Sequence, residues 1–254
     1  GRRVNSWGWP PSKRQITSIV VTLADAAVFS AILCPLLPSA YRWSLLSQFA
    51  LFFAVCVAAG AYVMTVDPVD PLVKDGDNVD EDSEEELLHC RYCTTAVQLD
   101  SKHCWDCNKC VDNFDHHCPW LNTCIGTRNY GAFYVAIWSL LFMLGIVIGV
   151  TAFLLAERES GEALTIYGWS DLPVVVILVV VLLVNVPLWL LDATLVAFHT
   201  YLCYMDITTY EYLTGKTSRK KEKALEKKAD AARQELREAE AARRALEMRA
   251  ALDQ

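Results

Sequence analysis

Basic charge is in short supply in this sequence. Lysine and arginine total 23 against 30 aspartates and glutamates, for a net charge of −7. That total is misleading, because the charges are strongly partitioned along the chain. Charged residues of either sign make up only 21% of the chain. Histidine is scarcer still, with five residues, four of them between positions 89 and 117. With 54% hydrophobic residues and a mean hydropathy of +0.23, the composition points to an integral membrane protein rather than a soluble domain.

Four apolar stretches are long enough to cross a bilayer, which takes about 20 helical residues. They run over Ile16 to Leu37, Trp43 to Met64, Ala132 to Ala156 and Leu172 to Tyr201. The link after the first stretch and the link after the third hold one basic residue each, Arg42 and Arg158. The N-terminal segment holds four, the central loop five and the tail twelve. The bias of Lys and Arg towards the cytosolic side then predicts that both termini and the central loop are cytosolic. The chain does not begin with Met, and no cleavable leader is evident, so the first stretch is expected to act as an uncleaved anchor. Within the spans, Asp25 is expected to face other helices or a cavity. Asp192 is expected close to the cytosolic interface, and His199 is read as an interfacial polar residue.

The informative stretch lies in the central loop, from His89 to Cys124. It carries seven of the ten cysteines, at positions 90, 93, 104, 107, 110, 118 and 124, with His89, His103, His116 and His117. Repeated C-x2-C spacing with interspersed His is a pattern that wraps tetrahedral zinc, and a reducing cytosol keeps such thiols off disulfides. Two closed sites consume eight ligands, whereas eleven candidates are present. The module, to residue 130, balances four basic residues (Arg91, Lys102, Lys109, Arg128) against four acidic ones (Asp100, Asp106, Asp112, Asp115), which argues against nucleic acid.

The surplus becomes interpretable at Asp115-His116-His117-Cys118. Pro119 biases Cys118 towards an extended backbone. In a strand alternate side chains share a face, so His116 and Cys118 are expected together and His117 opposite. One histidine can then serve a metal while its neighbour sits beside a free thiol. A cysteine with an adjacent histidine base, itself oriented by a carboxylate, is a nucleophile arrangement. The alternative makes Cys118 a spare zinc ligand.

The run C-x2-C-x9-HC-x2-C-x2-C-x4-DHHC-x-W-x-N-x-C-x-G-x2-N, ending at Asn129, resembles the DHHC family of protein S-acyltransferases, the palmitoyltransferases. That resemblance implies one zinc on Cys90, Cys93, His103 and Cys110, and a second on Cys104, Cys107, His117 and Cys124. It implies Cys118 as nucleophile, His116 as base and Asp115 as its orienting carboxylate, with Trp120 helping to place an acyl carbonyl. Thr208-Thr209-Tyr210-Glu211 matches the family's T-T-x-E element, which implies packing against the DHHC loop with Thr208 supporting Asp115. Thr65-Val66-Asp67-Pro68-Val69 is similar to its T-x-x-D-P-G element, with Val for Gly. Where the family usually has K-P-x-R, this chain has Val97-Gln98-Leu99-Asp100, which weakens any expectation of basic ligand contacts there.

The expected fold is an all-α integral membrane protein of four transmembrane helices, with a small cytosolic two-zinc module between helices 2 and 3. The expected divisions are a cytosolic segment 1–15, helices 1 and 2 over 16–64, an acidic linker 65–88 and the Cys-rich module 89–130. Helices 3 and 4 follow over 131–202, then a cytosolic C-terminal region 203–254. The resemblance implies transfer of a long-chain acyl group, such as palmitoyl, from acyl-CoA to cysteines of membrane-associated proteins. Zinc would be structural and the location an endomembrane, Golgi or ER. Met143, in the third span, is expected to touch the end of the acyl chain. The competing function is a membrane-anchored zinc adaptor without catalysis. The tail from Ser218 reads as a long solvated helix or a weak coiled coil.

Overall fold

The computed structural model describes residues 1–74, 87–159 and 164–252. Of the expected acidic linker, 65–88, residues 75–86 lie outside them. Four helices are long and apolar enough to cross a membrane: α1 (Lys13–Leu36), α2 (Ser39–Thr65), α3 (Tyr130–Glu159) and α4 (Asp171–Met205). α2, α3 and α4 run past both ends of the apolar stretches that predict them, and α1 starts three residues earlier but stops one short, because polar residues at the ends still complete helical turns. Ser12 starts α1 with a capping box closed by Gln15. Within α1, Phe29–Leu33 forms a π-helical turn before the chain breaks at Leu37.

The core of the bundle lies where α3 crosses the others. Phe29 and Leu33 of α1, Phe49 of α2, Met143, Leu144 and Val147 of α3, and Val174 and Leu178 of α4 form one buried cluster. The Phe29 and Phe49 rings stack at 4.0 Å. Asp25 of α1 does face another helix: its Oδ1 accepts a hydrogen bond from Asn185 Nδ2 of α4 at 3.1 Å. Asp192 of α4 is also buried among the helices.

The all-α expectation fails in the module, which is built from three antiparallel hairpins. These are β1 (Leu88–Cys90) with β2 (Thr95–Val97), β3 (Lys102–Cys104) with β4 (Lys109–Val111), and β5 (His116–Cys118) with β6 (Thr123–Ile125). Three-residue strands carry no readable alternation of their own, so ligand spacing has to define them. In each connection one residue adopts a left-handed backbone: Thr94, Asn108 and Asn122, with φ of 53°, 48° and 54°. Gly126 follows β6 where a Cβ would lie 2.6 Å from both the Asp112 carbonyl oxygen and Val111 Cγ1, so the second and third hairpins approach each other only over glycine.

Residues before α1, the module and the segment after α4 meet at one end of the bundle. The Arg3 amide donates to the Cys107 carbonyl, and Ser12 Oγ donates to the Pro119 carbonyl at 2.8 Å. After α4, Asp206 takes a left-handed conformation (φ 51°) that turns the chain back. This delivers Thr208 and the short helix α5 (Thr209–Thr214) onto the third hairpin. Helix α6 (Arg219–Leu252) follows, with its described side chains through Arg244 mostly exposed, in keeping with a long solvated helix.

Candidate active site

The two ligand sets that the resemblance implies are brought together in space. Around His103 Nδ1, the sulfurs of Cys90, Cys93 and Cys110 stand at 3.8, 3.4 and 3.8 Å, and Cys93 lies 3.7 Å from Cys110. Around His117 Nδ1, the sulfurs of Cys104, Cys107 and Cys124 stand at 3.8, 3.4 and 3.7 Å. A zinc with bonds of about 2.3 Å to sulfur and 2.0 Å to nitrogen has tetrahedral edges of roughly 3.5 Å (S···N) and 3.8 Å (S···S). Both clusters have these dimensions, so their residues fit a zinc each. All four donors in each set come from protein, the closed form of a structural site.

The sets interleave because the hairpins repeat. His89-Cys90, His103-Cys104 and His117-Cys118 are spaced fourteen residues apart. So are the left-handed residues 94, 108 and 122. Each ligand set takes two cysteines from one hairpin and a His-Cys pair from the next. In the third hairpin Cys118 occupies the first-ligand position, but Leu121 stands where a second cysteine would be. Cys118 is thus the first ligand of a repeat that cannot close. This fourteen-residue period was the available signal that would have singled out Cys118 without any family.

Strand β5 puts His116 and Cys118 on one face and His117 on the other, as the Pro119 argument requires. Cys118 is 7% exposed and packs with Val63, Phe133, Ile137 and Val196 from α2, α3 and α4. Trp120, in the following turn, remains partly exposed. The turn itself is gripped by one face of α1. Besides the Ser12 bond, Asn122 Nδ2 donates to Gln15 Oε1 at 3.1 Å, and Ser18 Oγ donates to the Trp120 carbonyl at 3.2 Å. These three α1 residues, three apart, share a helix face. Nothing in their local sequence names their partners.

His116 Nδ1 lies 2.6 Å from Asp115 Oδ2. Burial alone would lower the His116 pKa, but hydrogen bonds to Asp115 and Cys118 outweigh it and raise it to about 9. Burial would also raise the Asp115 carboxyl; its bonds to His116 and Thr209 hold it below the usual carboxylate range instead. The support of Asp115 needs a correction. Thr209, not Thr208, makes both bonds: its backbone N–H donates to Oδ1 and its Oγ1 to Oδ2, each at 2.8 Å. Thr208 instead caps α5 in a capping box with Glu211, whose other carboxylate oxygen accepts from the Ser218 amide.

Residues 83–216 match the sequence profile of the DHHC palmitoyltransferases. That span is more than half of the chain and includes every residue of the hairpin module and the Thr208–Glu211 element. The chain belongs to the DHHC palmitoyltransferase family. It is 32% identical over 246 residues to palmitoyltransferase ZDHHC11 of Danio rerio, covering 84% of this chain and 57% of that protein. It is 33% identical over 251 residues to palmitoyltransferase ZDHHC1 of Homo sapiens, covering 83% and 50% respectively. The chain thus spans about half the length of these relatives.

The contacts of two residues were not foreseen from sequence. His199 of α4 is 1% exposed, its ring centroid is 5.6 Å from that of His116, and its Nδ1 lies 3.1 Å from the Tyr130 hydroxyl. Lys109 is fully buried, its Nζ 2.6 Å from Asp67 Oδ1 of the D-P-V turn. That turn is more than a chain reversal, because it ties the second hairpin to the end of α2. Met143 lies deeper, fully buried in the cluster of Phe29, Leu33 and Phe49 rather than beside Cys118.

Proposed function

We propose that this chain spans an endomembrane and transfers a long-chain acyl group from acyl-CoA to cysteines of membrane-associated proteins, through a thioester on Cys118. One observation carries the reading. Cys118 is the cysteine of the hairpins left outside two complete four-ligand sets, and it sits beside a histidine bonded to a buried carboxylate.

His116, cationic around neutrality, is the counter-ion that a Cys118 thiolate requires. The thiolate sulfur attacks the carbonyl carbon of the acyl-CoA thioester, the carbon–sulfur bond to CoA breaks, and the departing CoA thiolate takes the His116 proton. In the second half, an incoming protein thiol gives its proton to His116 and its sulfur attacks the acyl-Cys118 carbonyl, regenerating the Cys118 thiolate. Each half exchanges one thioester for another, so the demand on the protein is thiolate supply and placement. Asp115 and Thr209 fix the imidazole. The zincs, held by Cys90, Cys93, His103 and Cys110 and by Cys104, Cys107, His117 and Cys124, supply rigidity to the hairpins. The apolar wall of Val63, Phe133, Ile137 and Val196 receives the start of the acyl chain.

The polar end of acyl-CoA needs cations that the K-P-x-R departure removes. A cleft of about 280 Å³ beside Thr208 and Glu211 bears Lys102, Lys216 and Arg219, and we assign the phosphates to it. Asp100 and Glu211 also line it, but the Glu211 oxygens are engaged by the Thr208 and Ser218 amides.

The test is incubation of the purified protein with labelled palmitoyl-CoA. A hydroxylamine-sensitive adduct, lost in Cys118→Ser while two zincs per chain remain, is the expected result. Loss of one zinc with that substitution would return Cys118 to the ligand set and favour the adaptor.

A further inference from the structure

A third group of metal-ligating side chains lies outside the two closed sets. One ligating atom each of Asp115, His116 and His199 falls within 4.8 Å of the others. The donors come from the approach to β5, from β5 itself and from α4. Asp115 is 2% exposed and His199 1%.

We propose that these three residues form a third, open metal site that takes free Zn²⁺ reversibly and inhibits the protein. The donor set, two imidazoles and a carboxylate, is one that zinc and similar transition ions accept. Two of its members already have the outer hydrogen bonds that orient metal ligands: Thr209 fixes Asp115, and the Tyr130 hydroxyl meets His199 Nδ1 at 3.1 Å. With three protein donors instead of four and no thiolate among them, the site binds more weakly than the resident pair and keeps one position open. The donors need modest adjustment, since ligand atoms around tetrahedral zinc stand about 3.3 Å apart. The 2.6 Å approach of His116 Nδ1 to Asp115 Oδ2 opens slightly and His199 closes in. An ion seated there takes the place of the proton shared by Asp115 and His116, and withdraws the imidazole that Cys118 uses. The inhibitory consequence rests on the function proposed above; the binding does not.

The protein, purified with its two resident zincs, is titrated with Zn²⁺ in calorimetry, and with Co²⁺ followed by visible absorption. Acyl-enzyme formation from labelled palmitoyl-CoA is measured across the same Zn²⁺ range. The expected result is a third equivalent of metal, with loss of acyl-enzyme tracking its occupancy and reversal by a weak chelator that leaves the resident pair. His199→Phe retains ring packing against Phe133 and Phe198. It is expected to keep two zincs and to weaken the third event at least about tenfold, with inhibition normalised to its own metal-free rate. Should that variant lose the resident zincs, His199→Gln carries the same expectation. Absence of a third equivalent in the wild type, or a third binding constant unchanged by the His199 substitution, overturns the proposal. If the wild type forms no acyl-enzyme at any zinc concentration, the proposed function fails while the calorimetry still decides the site.

Discussion

At the scale of single residues, the placement of His116 and His117 on opposite faces was legible because alternation in a strand is strict. His117→Ala is expected to release one zinc per chain and loosen the hairpins, since ligand binding and folding are coupled. His116→Ala is expected to retain both metals and form acyl-enzyme slower by roughly 10²-fold or more. Metal analysis beside single-turnover acylation checks both, and equal zinc loss would refute the face assignment. The choice between Thr208 and Thr209 was not legible, because adjacent threonines look alike until the turn at Asp206 sets their direction. Thr209→Val removes a hydroxyl donor to the Asp115 carboxylate. A hydrogen bond to a charged group is worth about 1.5–3 kcal/mol, so acylation should slow by roughly 10- to 100-fold. Thr208→Ala removes a helix cap, about 1 kcal/mol of stability, and should slow acylation less. The reverse order of rates would return the support to Thr208. His199 escaped for a related reason: one histidine in an apolar run gives no hint that it faces β5.

At the scale of elements, the C-x2-C spacing located the hairpins without revealing them as strands. Hairpins this short are not independently stable, so the metals and the anchor to α2 must hold them. The anchor is the pair Lys109–Asp67, with the lysine fully buried at 2.6 Å from its partner. Its two members are far apart in sequence and each looks like an ordinary loop charge, so no local pattern could have paired them. Asp67→Ala leaves a buried ammonium that keeps the Val4 carbonyl, 3.2 Å from Nζ, but has lost its carboxylate. Removing one partner of a buried ion pair typically costs about 3–5 kcal/mol, whereas replacing both with apolar groups is often neutral. Asp67→Ala should therefore speed zinc release and lower the unfolding midpoint of the module, and adding Lys109→Met should recover most of the loss. A double variant no more stable than Asp67→Ala would show that the charge pair is not what holds the hairpin.

At the scale of the whole molecule, the four long apolar helices were the easiest feature to read, since apolar length alone marks them. How the helices meet was not readable, and this decides where an acyl chain can go. Phe133 and Ile137 of α3 pack around Cys118, and Met143 lies further along the same helix. Ten residues separate Phe133 from Met143, about 15 Å at 1.5 Å per residue. That is near half of a hydrocarbon core about 30 Å thick. At that depth α1 closes the bundle with Phe29 and Leu33, where its π-helical turn shifts the register of the helix, and α2 contributes Phe49. A chain entering past Phe133 and Ile137 would meet Met143 as part of a packed floor. Met143→Ala opens space there, and two further methylenes filling it would gain up to about 1.6 kcal/mol, roughly 15-fold, at 0.8 kcal/mol each. Met143→Ala is therefore expected to raise the use of stearoyl-CoA relative to palmitoyl-CoA, and Met143→Trp to favour shorter chains. Competition among acyl-CoAs of graded length, read as acyl-enzyme by mass spectrometry, measures the shift. The unfilled part of the Met143→Ala cavity also destabilises the bundle by about 2–5 kcal/mol, so length preference is compared only where both zincs and the folded state are retained. An unchanged length profile in both folded variants would move the floor of the cavity away from α3.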